Sequence, residues 1–356
     1  MRILFVAIGE KHRASSRFRA YWWADQLAQH GHECRVLPYF RNLPPGLALR
    51  PPLDSLYRRQ LIWHTVYREI LAGAAWADAV VLQEVLLPKW LLTAVRHRCS
   101  RLIFDFSDPV HLLDDVIASP VLRLLHRHQS KPRFAATLAA ADAAIVENDA
   151  LLPLAAQHGC RAVVMRGPIN TTHFQPRPAT PRDTINIGWT GGVRTFAHLE
   201  PILPLLDEIG QACPQVQLTL VGAPANTGLR HIRHQVVPWR LETEPAQVAD
   251  FDIGLFYLAD GAWERARGGG KLLVYLAAGV PIVASSVGIG GQLVGNGRFG
   301  LLADTPSQWR DALCRLINDH ALRHRFAAAA RQQAIDQYSH EAYAPLMLSL
   351  LKNSDQ

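Results

Sequence analysis

The chain has 356 residues, 49% hydrophobic and 19% charged, with a formal net charge of +7. That is material for about two packed domains, and it excludes disorder, collagen and coiled coil. The five cysteines (Cys34, Cys99, Cys160, Cys213, Cys314) are scattered and form no CxxC pair. Neither a disulfide framework nor a structural zinc site is expected, and a reducing cytoplasm is.

The charge is unevenly placed. Residues 1–167 hold 21 Lys+Arg against 14 Asp+Glu, and residues 168–356 hold 16 of each. In the first part arginine outnumbers lysine 18 to 3. Guanidinium forks suit phosphate and carboxylate, which points to an anionic partner or an anionic membrane surface. A basic surface that merely keeps the chain in solution is the alternative.

Arg2–Ile8 reads as a buried parallel strand, too short for a secretory apolar region. Ser15 or Ser16 can cap a helix to about His30, stopped by Gly31, and Cys34–Tyr39 is a second strand. This is a βαβ unit. Residues 41–54 are Pro-rich and loop-like, and Leu56–Ala75 reads as a helix. Ala79–Gln83 is a strand, Pro88–His97 a helix, Leu102–Phe106 a strand, and Val121–His128 a basic helix. Alternation continues through Arg133–Ala141, Ala143–Glu147, Leu151–His158 and Ala162–Arg166.

Residues 168–184, with four prolines, are the expected linker. Strands follow at Ile185–Trp189, Val216–Val221, Ile232–Val237, Ile253–Tyr257 and Pro281–Ser285. Helices are expected at Leu199–Gln211, Pro245–Ala249 and Lys271–Ala278, then at 306–318, 321–337 and 340–351. Residues 272–297 carry no charge, long enough to cross a bilayer, but Gly279-Val280-Pro281 breaks the run into helix, turn and strand. The pattern predicts two doubly wound α/β domains with mainly parallel sheets, residues 1–167 and 185–338.

Ligands of such folds bind beyond the carboxyl ends of the strands, near helix N-termini. Four segments lie there. Gly9 to Arg19 offers a helix start with Ser15, Ser16, Arg17 and Arg19, suited to an anion; the bland reading is a serine cap with solvated arginines. Asp105-Phe-Ser-Asp108-Pro-Val-His111 places Asp108 and His111 where they could orient a hydroxyl or act as a base, or simply form a turn. Trp189-Thr190-Gly191-Gly192 lets backbone approach a ligand closely. The strongest is Asp260 to Pro281. There Gly268, Gly269 and Gly270 lead into a helix flanked by Arg267 and Lys271, an arrangement suited to a diphosphate.

These motifs resemble the GT-B glycosyltransferases, more narrowly glycosyl transferases group 1, also called glycosyltransferase family 4. The resemblance spans nearly the whole chain and is clearest over 185–340. It is carried by WTGG, LTLVG (218–222), VVPW (236–239), FDIGLF (251–256), WERARGGGKLLVYLAAGVPIVASSVG (263–288) and Tyr338-Ser339. It implies two Rossmann-like domains facing a cleft, with the last helix, 339–356, crossing back to the first domain. It implies a nucleotide diphosphate sugar as donor (UDP- or GDP-linked), no metal or other cofactor, and retention at the anomeric carbon. Arg267 and Lys271 would meet the diphosphate, Gly191 and Gly192 the phosphate and sugar, and Trp239 and Arg240 the base. Asp108 or His111 would lie near the reacting sugar.

One departure stands out. Two glutamates that many members carry align with Ala266 and Val274, so the expected ribose carboxylate at Val274 is missing; Glu264 could substitute. The expectation is a cytoplasmic glycosyltransferase acting on a glycan or lipid-linked acceptor in cell-surface glycan or glycolipid synthesis, with peripheral contact to the inner membrane face. The alternative is an inactive GT-B subunit that binds nucleotide sugar, glycan or a partner enzyme. A nucleic-acid partner is suggested only by the charge and is not expected. The 16 histidines form no ligand-spaced cluster, so no metal site is expected.

Overall fold

The computed structural model describes residues 1–42, 62–109, 123–124, 126–178, 182–295 and 297–352. Two units divide the chain. Unit 1 is Met1–Pro168 with Tyr343–Gln356, and unit 2 is Ile169–Ala342.

Unit 1 is built on six strands: β1 (Arg2–Ala7), β2 (Glu33–Pro38), β3 (Ala79–Gln83), β4 (Arg101–Phe106), β5 (Ala143–Val146) and β6 (Ala162–Val164). Every pairing is parallel, in the order β2-β1-β3-β4-β5-β6. Ile3 to Ala7 and Ala79 to Gln83 are fully buried, because helices cover both faces of a parallel sheet and leave no polar side. The first helix, α1, joins Ala14–Ser16, a wide π turn at Arg17–Tyr21, and Trp22–Gln29. Its Trp23, Ala24 and Leu27 pack with Ile3 and Phe5. Further helices are α2 (Ile62–Val66 with Tyr67–Trp76), α3 (Lys89–Arg96), α4 (His126–Ser130 with Lys131–Ala140) and α5 (Leu152–Gln157). The readings of 43–54 as loop and of 56–61 as helix lie outside the described residues, as do His111 and residues 121, 122 and 125 of the expected basic helix.

Unit 2 repeats the scheme with β7 (Ile185–Thr190), β8 (Val216–Val221), β9 (Arg233–Val237), β10 (Ile253–Phe256), β11 (Ile282–Ala284) and β12 (Gly300–Leu302). The order is β12-β11-β10-β7-β8-β9, again all parallel. Its helices are α6 (Val193–Phe196), α7 (Leu203–Ala212), α8 (Glu244–Ala249), α9 (Ala262–Ala266), α10 (Gly270–Ala277), α11 (Gly290–Leu293), α12 (Pro306–Asn318), α13 (His320–Gln333) and α14 (His340–Leu351). Thr305 and Gln308 close a capping box at the start of α12, with Pro306 in its first turn. Helix α14 begins in unit 2 and continues into unit 1. There Ala344, Met347 and Leu350 join the core around Ile3, Phe5 and Ile103, and Arg101 Nε donates to the Leu350 carbonyl at 2.8 Å.

Three expectations change. The described residues of the expected linker, 169–178 and 182–184, belong to unit 2, and Phe174 is fully buried. Arg331 donates to the carbonyls of Thr171 (2.9 Å), Phe174 (2.7 Å) and Ala277 (2.6 Å). No helix is expected at Ala262–Ala266, where Glu264 lies on the short helix α9. Strand β12 was not foreseen. It holds Gly300, a poor strand former, because a Cβ there would lie 2.1 Å from the Ile282 carbonyl oxygen on the neighbouring strand. Residues 272–297 contain α10 and β11 rather than one helix, and among the described residues no helix is long and apolar enough to cross a membrane.

The sheet of unit 2 depends on close approach at two glycines. A Cβ at Gly188 of β7 would sit 2.0 Å from Phe251 Cγ, and one at Gly254 of β10 would sit 2.8 Å from Tyr275 Cδ2. Gly188→Ala is therefore expected to cost about 2–3 kcal/mol in chemical denaturation, as overpacking of a dense core does. Adding Phe251→Leu should recover part of the loss.

Candidate active site

In unit 2 the order of strands reverses between β7 and β10, because β8 flanks β7 on one side and β11 flanks β10 on the other. Side chains and loops that follow these strands gather at that switch point. The pairing of β7 with β10 covers only Ile187 and Gly188 opposite Ile253 and Gly254. Beyond it the strands part, and the Tyr275 hydroxyl enters the gap. It accepts the Thr190 backbone N–H at 3.2 Å and donates to the Leu255 carbonyl at 3.3 Å. Burial pushes the Tyr275 phenol well above its ordinary range, so it stays a neutral donor.

Tyr275 and Lys271 lie four residues apart on α10, one above the other on the same face. The hydroxyl that anchors α10 thereby sets Lys271 over the chain that leaves β7. Lys271 Nζ lies 4.1 Å from the centre of the Trp189 ring and donates to Thr195 Oγ1 at 3.4 Å. Thr195 Oγ1 in turn accepts the Gly192 backbone N–H and donates to the Gly192 carbonyl, both at 3.0 Å. At Gly191 a Cβ would lie 2.4 Å from the Trp189 ring. At Gly222, which has φ +76°, it would lie 2.1 Å from the Gly191 carbonyl oxygen and 3.2 Å from Trp239 Cβ. The paired glycines, the turn after β8 and Trp239 are thus in contact or one atom removed from it.

Arg267 stands at the other side of the glycine triplet. Its Nη1 donates to His198 Nε2 at 2.9 Å. A guanidinium has no acceptor, so His198 accepts at Nε2 and carries its proton on Nδ1. Burial first, then Arg267, lowers the His198 pKa, with Glu264 acting the other way. Burial and Arg267 push the Lys271 ammonium from its ordinary 10.5 down to about 7. Gly269 is the N-cap of α10, and Arg267 and Lys271 flank that helix start in the chain. The arrangement favours an anion.

The structure therefore brings Gly191, Gly192, Trp239, Arg267, Gly268, Gly269, Gly270 and Lys271 to one end of unit 2. Arg240 is exposed, and its carbonyl accepts the amides of Thr243 (3.2 Å) and Glu244 (2.9 Å) at the start of α8. Glu264 is half-buried, and its carboxylate lies over Gly261, where a Cβ would meet Oε2 at 2.4 Å. Val274 is buried on α10, and Ala266 is buried at the end of α9. Sequence reasoning missed Thr195, His198 and Tyr275. A Gly-x-x-Thr spacing at a helix start is a weak signal for Thr195. No local signal joins His198 to Arg267.

The remaining predicted residues lie in unit 1. Asp108 is half-buried just past β4, and His111 is outside the described residues. The expectation that Arg17 and Arg19 face an anion is corrected, since both are buried in the π turn. Arg17 Nη1 donates to the His12 carbonyl at 3.1 Å, and its guanidinium stacks on Phe18. Arg19 Nε donates to Asp105 Oδ1 at 2.6 Å, and Nη1 donates to the Gly167 carbonyl at 2.8 Å and lies 3.5 Å from Glu147. Burial opposes the Arg19 charge, but Asp105 and Glu147 hold its pKa above the ordinary range. Ser16 is fully buried, and its hydroxyl accepts the Gly9 N–H at 3.0 Å and donates to Gln83 Oε1 at 3.2 Å. Ser15 donates to Glu84 at 3.3 Å. Among the described residues no group of three His, Cys, Asp or Glu side chains could hold a metal ion.

The folded chain releases the Lys271 proton near 7 and the unfolded chain near 10.5. Across that window the unfolded state binds more protons, so stability rises with pH. Lys271→Met removes this dependence. Its melting temperature should exceed that of the native chain at pH 6, with the excess shrinking at pH 9. An excess that does not change with pH would contradict the assignment.

Residues 185–319 match the family model described as Glycosyl transferases group 1. A 60-residue stretch is 48% identical to D-inositol 3-phosphate glycosyltransferase of Nocardioides sp. (strain ATCC BAA-499 / JS614), covering 16% of this chain and 13% of that protein. Among solved structures, sucrose-phosphate synthase from Thermosynechococcus elongatus superposes with a TM-score of 0.71 at 16% identity over 98% of both chains. Anabaena HepE, solved with UDP and glucose, superposes at 0.61 with 17% identity over 99% of both. An alpha-glucosyltransferase, solved with UDP and a 13-mer DNA, superposes at 0.68 with 12% identity over 99% of this chain and all of that one. At these identities the structures report the fold. The chain has the GT-B fold, and over residues 185–319 it is similar to the glycosyl transferases group 1.

Proposed function

We propose that the protein is a glycosyltransferase that moves a hexose-type sugar from a nucleotide diphosphate sugar to a hydroxyl of an acceptor. The observation that carries this is the pair of cations, Arg267 and Lys271, on either side of the glycine-led start of α10, facing the Gly191–Gly192 turn. When the bond between the anomeric carbon and the diphosphate oxygen breaks, its electron pair leaves with the diphosphate. Two positive side chains and the helix amides stabilise that developing charge without moving. Catalysis is then positional and electrostatic, and no covalent nucleophile from the chain is needed. Trp239 beside Gly222 supplies a surface for the base.

Uridine diphosphate is the first donor nucleotide to test, because HepE and the alpha-glucosyltransferase were solved with UDP; guanosine diphosphate is the second. Retention is the stereochemical outcome we infer, from the resemblance to glycosyltransferase family 4. The basic excess of residues 1–167 supports an anionic or lipid-linked acceptor and work at the inner membrane face in glycan or glycolipid synthesis. The second reading, a GT-B subunit that binds without catalysing, is favoured by one feature: buried Val274 and Ala266 stand where many relatives place glutamates.

Thermal unfolding with UDP, GDP, ADP, TDP and CMP, and with their sugars, tests this reading. One diphosphate should stabilise the chain, by about 2.7 kcal/mol at a hundredfold excess over Kd. The Arg267→Ala/Lys271→Ala variant should lose the effect, since each charge-assisted contact is worth about 1.5–3 kcal/mol. Stabilisation without release of sugar to any acceptor or to water would favour the non-catalytic reading. No stabilisation by any member would refute the donor site.

A further inference from the structure

We propose that His320 and His324, on α13, form a two-imidazole chelate for a first-row divalent cation of the zinc, nickel or copper type. The site stands apart from the glycosyltransferase reading and uses none of its residues.

The two side chains lie four residues apart on one face of the 14-residue helix, and both are exposed. Their Nε2 atoms are 3.0 Å apart, while the ring centres are 4.3 Å apart and the ring planes meet at 62°. The rings therefore converge on their Nε2 corners. A cation about 2.0–2.1 Å from each of two imidazole nitrogens, in tetrahedral or square geometry, sets those nitrogens about 2.9–3.4 Å apart. The pair already has that bite.

The helix holds the pair in place. Asp319 caps α13, its Oδ1 accepting the Leu322 N–H at 2.8 Å. Arg323 Nη1 donates to the carbonyls of Leu316 (2.5 Å) and Ile317 (2.9 Å), near the end of α12. Leu322 and Phe326 are buried in the core of unit 2. The backbone between the two histidines is thus fixed, and a preorganised chelate gives up little freedom when it binds. The nearby pair His231 and His234 is built otherwise. His234 Nε2 lies 3.2 Å from Thr227 Oγ1 and its Nδ1 lies 3.1 Å from the Ile232 carbonyl oxygen, while His231 Nε2 lies 4.0 Å from Asp207.

Without a cation, the contact between the two Nε2 atoms is one hydrogen bond, in which one ring donates and the other accepts. With a cation, both rings present an Nε2 lone pair and carry their proton on Nδ1. Among the described residues no third His, Cys, Asp or Glu completes the group, so water takes the remaining positions. Magnesium and calcium require a set of oxygen ligands that the pair does not offer, whereas imidazole suits zinc, nickel and copper. The expectation that the chain has no metal site is revised for this pair.

Calorimetric titration of the full chain with the chlorides of zinc, nickel, copper(II) and magnesium at pH 7.5 tests this, on the native chain and on His320→Asn, His324→Asn, the double variant and His231→Asn. The native chain should bind copper most tightly, nickel and zinc less so, and magnesium not at all. Each single variant should weaken that binding about tenfold or more, because a chelate fails when either ligand is lost. The double variant should then be no weaker than the singles, and His231→Asn should bind like the native chain. Both histidines are exposed, so without metal the variants should melt within about 2 °C of the native chain, which separates loss of the site from loss of the fold. Binding that survives either single variant, or that His231→Asn weakens as much, overturns the proposal. So does the absence of binding by all three transition metals. Losses that are partial in each single variant and add in the double variant would mean two separate imidazoles and overturn the chelate as well.

Discussion

Where β7 and β10 part, the hydroxyl of Tyr275 takes the place of a strand partner. It satisfies Thr190 N–H and the Leu255 carbonyl, two backbone groups that the divergence of the strands would otherwise leave buried and unpaired. The ring reaches that gap only because Gly254 has no side chain, and β7 accepts Phe251 beneath it only because Gly188 has none. One helix is thereby locked in height and rotation against the sheet. Lys271, one turn before Tyr275, comes to rest on Trp189 and Thr195, and the glycine triplet before it faces the turn after β7. The packing of the core and the placing of the charges are consequences of the same contact.

Unit 1 handles charge differently. Its basic excess is real in the sequence, but part of it is spent inside. Arg19 joins Asp105 and Glu147, and Arg17 lies against Phe18 and backbone carbonyls. A buried guanidinium persists because carboxylates and carbonyls surround it, and removal of one partner would leave the others costly to keep. The charge available to a ligand is consequently smaller than the count of arginines implies.

The fold was legible because its physics is local. Continuous apolar runs such as Ile3–Ala7 and Ala79–Leu82 are what a strand covered on both faces looks like, and their alternation with helical stretches specifies a parallel sheet. Gly268-Gly-Gly270-Lys271 was legible for the same reason, since a helix start and its flanking cations are neighbours in the chain. Other features were not, because they depend on residues far apart. Nothing around Arg19 announces Asp105, 86 positions away, and nothing around His198 announces Arg267. Strand β12 was hidden by Gly300, whose value is the space it leaves for Ile282. The left-handed backbone at Glu84 is invisible in sequence, where only glycine and asparagine advertise positive φ.

The decisive interaction is the grip of Lys271 and Arg267 on a diphosphate. Calorimetric titration of uridine diphosphate at pH 8, repeated in buffers of different ionisation enthalpy, reads this directly. Lys271 is mostly neutral at pH 8 before binding, its ammonium having been lowered to about 7. A diphosphate beside it restores the charged form. Net proton uptake is expected on binding, and it should be absent in Lys271→Met. Binding with no proton uptake, or with uptake that Lys271→Met retains, would contradict it.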